Sequence, residues 1–363
     1  MEASESSQGE DLRDKGWEHI QALGQGAYGS VHLYRITSTG EEYAIKFIDR
    51  GDSINEGLRR EVINHRLLVH NNICRFKEVL LTSRKLGVVM EYAAGGDLFS
   101  YVQKSRERRL PENISRYFFQ QLISGLTHMH RQGICHRDMK LENLLLLGNP
   151  PMLKICDFGY SKSSRLQSAA KTKVGTAAYI APEILKLESN NEYDGIQTDV
   201  WSAGVILHTM LMGMYPFCDP RQPNNEAFTM QRIVAYSKGQ VQYTPPPHVS
   251  AECQELLKQM LVPAPENRIG LGDLCKLKWF QTNLPREFTV ENGTRVDNAF
   301  PQMAEDQVIK LLTEASAPAE GAVGAELCAA GSCEMGMEPT NSGLSDIDFG
   351  HADSMEMADQ FTL

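Results

Sequence analysis

Within His136-Arg137-Asp138-Met139-Lys140-Leu141-Glu142-Asn143 stand a carboxylate, a lysine two residues on and an amide five residues on; Asp157-Phe158-Gly159 begins fourteen residues after Asn143. If the first segment is a loop, its side chains can converge. Asp138 would then accept a proton, Lys140 would neutralise phosphate charge, and Asn143 with Asp157 would offer oxygen atoms to a metal ion. Taken singly, Asp138 reads as an ordinary surface aspartate. The fixed spacing, with Asp-Phe-Gly at its distance, is what gives the segment meaning.

Two upstream features could serve the same chemistry. Gly24-Gln25-Gly26-Ala27-Tyr28-Gly29-Ser30-Val31 lies between two predicted strands, where glycines let backbone amides approach a polyphosphate with no Cβ in the way. Alone this is weak, and a ligand-free glycine hairpin explains it as well. The next element is another strand and not a helix, which argues against a dinucleotide fold. The strand Tyr43-Ala44-Ile45-Lys46 ends on a lysine among apolar residues. A buried ammonium needs an anion, and Glu61 is the downstream carboxylate placed to supply it; a snorkelling surface lysine is the plain alternative.

These residues need a scaffold. From Trp17 to about Met90 short β-rich runs alternate with turns: 20–23, 30–35, 42–48 and 86–90, interrupted by an amphipathic helix carrying Leu58 and Val62. Beyond 94 the pattern becomes helical. Phe118, Leu122, Leu126 and Met129 mark a helix over 112–131, 200–211 is nearly all apolar, and 251–261 carries another apolar stripe. The fold class is therefore α+β: a small β-rich lobe at 17–93 and a larger, mainly helical lobe at 94–283. Residues 1–16 read as a disordered leader. A linker and short amphipathic helix occupy 284–315, with Met303, Val308, Leu311, Leu312 and Ala315 on one face that needs something to dock on. Residues 316–363 read as an acidic disordered tail.

Composition narrows the class. The 363 residues are 42% hydrophobic and 23% charged, enough to bury a sizeable core. Of the net charge of −10, the stretch 301–363 holds −11, leaving a near-neutral body with no electrostatic reason to bind nucleic acid. The eight cysteines form no CxxC pair, which reads as a reduced, intracellular protein, with Cys135 and Cys156 as buried packing residues. No apolar run suits a signal peptide or a membrane span, and position 2 is not Gly, so the myristoylation pattern is missing too.

In this set of landmarks, all in register, the chain resembles the eukaryotic protein kinases over about residues 17–283. The glycine loop, Lys46, Glu61, 136–143, Asp157-Phe158-Gly159, Ala181-Pro182-Glu183, the run from Asp199 to Gly204 and Arg268 all have counterparts there. The resemblance implies ATP in a cleft contacted by Leu23, Gly24, Gln25, Gly26, Ala27, Tyr28, Gly29, Ser30, Val31, Ala44 and Lys46. Met90 would be the gatekeeper, and Glu91 to Ala93 the hinge. It implies Asp138, Lys140, Lys46 and Glu61 as the catalytic set, with Asn143 and Asp157 holding Mg2+. Lys140 two residues past the aspartate resembles the serine/threonine-specific class. Arg137 implies activation by phosphate on the loop 160–181, with Thr172 the first choice and Ser168 the second. Thr176 and the Arg268–Glu183 pair would be structural.

Tyr160-Ser161-Lys162-Ser163-Ser164 and the run 174–183 resemble, more narrowly, the plant sucrose-non-fermenting-1-related kinases of subfamily 2, which act in osmotic and abscisic acid stress signalling. That likeness implies protein substrates, an upstream kinase, type 2C protein phosphatases as partners of the acidic tail, a monomer, and location in cytoplasm and nucleus. It further implies that the short helix packs on the small lobe's helix. Asn71 before Asn72-Ile73, where the subfamily has Pro, and Cys218 in place of an acidic residue are departures. The competing reading is a pseudokinase scaffold that uses the fold and tail for partner binding, with a small-molecule kinase as a third; the intact set of Lys46, Glu61, Asp138, Asn143 and Asp157 argues for an enzyme.

Overall fold

The computed structural model describes residues 11–26, 29–157, 176–185, 193–222, 225–288 and 300–318. Strands β1 (Trp17–Gly26), β2 (Gly29–Ile36), β3 (Glu42–Asp49), β4 (Phe76–Leu81) and β5 (Lys85–Glu91) form one antiparallel sheet in the order β1-β2-β3-β5-β4. Helix α1 (Glu56–Leu67) follows β3. Asn55 caps it by accepting the Leu58 amide, and it buries Leu58, Val62 and His65. Strand β4 is not apparent from the sequence. Only Phe76 and Val79 of its six residues are buried, and the pairing slips between Phe76 and Glu78, so the alternation that marks a strand is lost.

The sheet is apolar on both faces. Ile48 and Val88 meet Leu58 and Val62 of α1 on one side. Ile45, Phe47 and Val89 cluster on the other with Trp17, Tyr34, Tyr43 and Leu12. This corrects the expectation for the leader: residues 11–16 form a helical turn and pack on the sheet. Leu12 is fully buried, Asp11 accepts both the amide and the hydroxyl of Ser83, and the Lys15 ammonium donates to the Leu81 carbonyl. One leucine in a polar stretch carries no periodicity, so no local pattern marks this turn.

The larger lobe is built from α2 (Leu98–Lys104), α3 (Glu112–Arg131), a hairpin of β6 (Leu144–Leu147) and β7 (Met152–Ile155), α4 (Gly195–Met212), α5 (Glu226–Ser237) and α6 (Ala251–Met260). Phe118, Leu122 and Leu126 of α3 share a core with Trp201 and Leu207 of α4 and Leu257 of α6. Helix α4 is buried from Thr198 to Leu211 and ends on Gly213, whose φ of 74° suits a residue without a side chain. Order continues past 284 to Phe288, whose ring packs on Tyr117. Helix α7 (Glu305–Ala315) lies against β4 and α1 of the small lobe, with Val308, Leu312 and Ala315 buried. No described helix is long and apolar enough to cross a membrane.

Candidate active site

Strand register places Lys46 opposite Val31 on β2 and Val88 on β5. Its ammonium lies 3.1 Å from Asp157 Oδ1 and 3.9 Å from Glu61 Oε1. Sequence spacing pairs Lys46 with Glu61; the nearer carboxylate is Asp157. Two carboxylates compete for one cation, and burial handicaps Glu61. It lines a small pocket with Ile48, Leu58, Val62, Val88 and Met90, and its second oxygen has no hydrogen-bond partner among the described residues. That burial pushes the Glu61 carboxyl up to about 8, against the pull of Lys46 and with a further push from the Asp157 charge. Glu61 is therefore largely protonated at neutral pH. Burial acts to raise Asp157 as well, but the charge and hydrogen bond of Lys46, helped by His136 and Lys140, hold it below the ordinary carboxylate range.

The loop 136–143 is fixed from beneath by Asp199. One oxygen of this fully buried carboxylate accepts the His136 amide at 2.9 Å and His130 Nε2–H at 2.8 Å; the other accepts the Arg137 amide at 2.7 Å. Arg137 itself has a φ of 65°, an uncommon conformation that these bonds hold. His136 Nε2–H donates to the Cys156 carbonyl at 2.9 Å, which leaves Nδ1 to accept the Asp138 amide at 3.3 Å. Asp138 and Lys140 stand 3.2 Å apart, and the Asn143 amide donates to the Asp138 carbonyl at 2.8 Å and to its carboxylate at 3.4 Å. The convergence expected from spacing is thus present. The β6–β7 hairpin links it to Asp157, since Leu144 pairs with Ile155 and the Cys156 amide donates to the Asn143 carbonyl.

Above the site, β1 and β2 pair from Gly24–Val31 through Gln25–Ser30 to Gly26–Gly29; Ala27 and Tyr28 lie outside the described residues. Gly29 has a φ of 135°, and a Cβ there would meet the Phe47 carbonyl oxygen at 1.8 Å, so no other residue fits. Ala44 sits between Leu33 and Met90, Leu23 is exposed and Ala93 buried. Glu91, expected at the hinge, uses its side chain as a strut: its carboxylate pairs with the buried Lys154 at 2.9 Å and accepts the Arg75 amide.

Arg268 binds Glu183 through two parallel bonds of 2.9 and 3.0 Å and lies over the Trp201 ring. The Arg137 guanidinium lies over Tyr193. Thr172, Ser168, Phe158, Gly159 and the acidic tail beyond 318 fall outside the described residues. The cysteine reading needs correction. Cys135 is free and half-buried, its thiol pushed up to about 11 by burial, but Cys156 is bonded to Cys74. No local motif joins two residues 82 apart in sequence; only the fold brings them together.

Hard oxygen donors at Asp157 and Asn143, with the ammonium groups of Lys46 and Lys140 beside them, are a donor set that fits Mg2+ and a polyphosphate. Asp199 stands out in the sequence only as part of a motif, with no role of its own. A charged residue heading the nearly all-apolar run 200–211 was the signal, because a charge buried there must be bonded to something.

The protein kinase domain family matches residues 17–280. Serine/threonine-protein kinase SRK2B of Arabidopsis thaliana is 47% identical over 308 residues, 84% of this chain and 83% of the relative. Serine/threonine-protein kinase SAPK2 of Oryza sativa subsp. japonica is 48% identical over 311 residues, 84% and 89% of the two chains. Serine/threonine-protein kinase SRK2A of Physcomitrium patens is 47% identical over 315 residues, covering 85% and 87%. With likeness running through both lobes at nearly half identity, the chain belongs to the protein kinase family, in the serine/threonine-specific branch that these plant enzymes represent.

Proposed function

We propose that this serine/threonine kinase uses MgATP and works through the residues gathered around Asp138. The meeting of Asp138, Lys140 and Asn143 across from the Lys46–Asp157 pair is the observation that carries this reading. Asp138 orients the substrate hydroxyl and takes its proton as the hydroxyl oxygen bonds to the γ-phosphorus and the bond from that phosphorus to the β–γ bridging oxygen breaks, so that ADP leaves; Lys140 balances the charge on the transferred group. Magnesium, held by Asn143 and Asp157, supplies neutralisation of the phosphate oxygens. Lys46 holds the non-transferred phosphates, and the backbone from Gly24 to Val31 covers them. Phosphate on Thr172, with Ser168 second, orders the activation loop by pairing with Arg137. The resemblance of 160–164 and 174–183 to the plant subfamily supports a role in osmotic or abscisic acid stress signalling, with an upstream kinase and a type 2C phosphatase as regulators and with cytoplasm and nucleus as location.

Incubation with labelled ATP, magnesium and a basic peptide tests the reading. Transfer to the peptide is expected, and Asp157→Ala is expected to abolish it while the far-ultraviolet circular dichroism stays unchanged. Undiminished transfer by a folded Asp157→Ala protein would remove the mechanism. No transfer by the wild type, even after treatment that phosphorylates 160–181, would favour the scaffold.

A further inference from the structure

Cys74 and Cys156 join the two lobes next to the metal-binding aspartate. Cys74 ends the segment that leads from α1 into β4, and Cys156 immediately precedes Asp157. The two segments run side by side: the Cys74 amide donates to the Ile155 carbonyl, the Ile155 amide donates to the Asn72 carbonyl, and Ile73 bridges to Ile155. This places the Cα atoms 5.5 Å apart, within the range of a disulfide. Both cysteine carbonyls are also engaged. Cys74 O accepts from His65, one helical turn beyond Glu61 on α1, and Cys156 O accepts from His136 of the catalytic loop. The sulfur bridge thus lies inside a chain of contacts running from α1 to the catalytic loop.

We propose that Cys74 and Cys156 form a reversible thiol–disulfide switch that restrains Asp157 and slows the kinase when oxidised. Asp157 has a φ of 56°, a strained conformation for a residue with a side chain, and its carboxylate is held by Lys46. Lys46 holds Oδ1 of that carboxylate, so a metal ion must be met by the other oxygen or by a shift of the residue. A bridge at the preceding residue, anchored to the small lobe, limits the backbone adjustment for either. In a reducing compartment such a bond is transient, which is the behaviour of a sensor and not of a structural brace.

The oxidant is hydrogen peroxide. The Cys156 sulfur, the less buried of the two, attacks one peroxide oxygen; the O–O bond breaks, and the thiol proton leaves with the departing oxygen as water, giving a sulfenic acid. The Cys74 sulfur then attacks that sulfur, the S–O bond breaks, and a second water leaves. Two electrons pass from the sulfur atoms to the peroxide. A dithiol reverses the reaction by exchange and is itself oxidised.

The test uses the full chain. Reduced wild-type protein is exposed to hydrogen peroxide, alkylated without reduction and digested, and its activity is read before and after dithiothreitol. A peptide linking Cys74 to Cys156, with a loss of turnover on the order of tenfold that dithiothreitol restores, is expected. Cys74→Val should keep its activity through the same exposure. Absence of the linked peptide overturns the proposal, as does an equal loss in Cys74→Val, which would assign the effect to another thiol. Peptide mapping needs no activity, so failure of the switch and failure of the kinase reading are told apart.

Discussion

Glu61 shows how burial sets a side chain's charge. Its carboxyl sits among apolar residues of α1, β3 and β5, with Lys46 at 3.9 Å, Asp157 beyond it and the neutral His65 one turn along. With its value raised from 4.5 to about 8, the folded protein binds a proton here that the unfolded chain has already released over the interval between. Stability therefore falls as pH rises from about 5 through about 8. Glu61→Gln keeps the shape and removes the titration. Its melting temperature should depend less on pH over that interval, and at about pH 8 it should equal or exceed that of the wild type. Parallel melting curves would refute the assignment. The Lys46–Glu61 pairing was legible from spacing and residue type; the protonation was not, because it depends on side chains that four separate stretches of chain bring together.

Among the elements, α7 was readable in half. Its stripe of Val308, Leu312 and Ala315 follows from helical spacing, and the need for a partner follows from the stripe. The family resemblance named α1 as the receiving helix, but the surface combines Leu58 and Val62 of α1 with Phe76 and Val79 of β4, the strand of the small lobe's sheet that the alternation failed to reveal. Polar contacts fix the docking. Arg66 donates to the Met303 carbonyl and pairs with Glu305, Arg59 donates to Ser316, and the Gly51 amide donates to the Ala315 carbonyl. Because α1 also carries Glu61, loosening α7 frees the helix that lines the site. Leu312→Ala should cost about 2–4 kcal/mol of the docking and lower turnover on a peptide. Leu312→Asp should lower it further, with the peptide KM little changed. Higher turnover in either variant would make α7 an inhibitory element.

Across the whole molecule, the two lobes and their order could be read from the change of periodicity near residue 94, but the joint between them could not. Asn72, in the segment joining α1 to β4, is fully buried against the larger lobe. Its side-chain amide donates to Gln121 Oε1 of α3 at 3.1 Å and to the Leu153 carbonyl of β7 at 3.0 Å, while its backbone carbonyl accepts from Ile155. Gly125 on α3 is small for the same reason: a Cβ there would come within 3.2 Å of the Asn72 carbonyl and 2.7 Å of Ile155. Sequence drew attention only to Asn71, whose departure from Pro was visible; its neighbour makes the joint. Asn72→Ala strands two buried acceptors, although Gln121 Oε1 keeps the Leu153 amide. A loss of about 1–3 kcal/mol is expected, or a fall of roughly 2–4 °C in melting temperature per kcal/mol. Asn72→Asp should be worse. Both of its carboxylate oxygens would face or adjoin acceptors, leaving a buried charge with no donor in place of a donating amide. Asn71→Ala, at a partly exposed position, is the control and should melt within a degree or so of wild type. Equal melting temperatures for Asn72→Ala and Asn71→Ala would mean that the lobes are joined elsewhere, whereas the order wild type, Asn72→Ala, Asn72→Asp follows only if this amide is the donor that holds the β4 lead-in to the larger lobe.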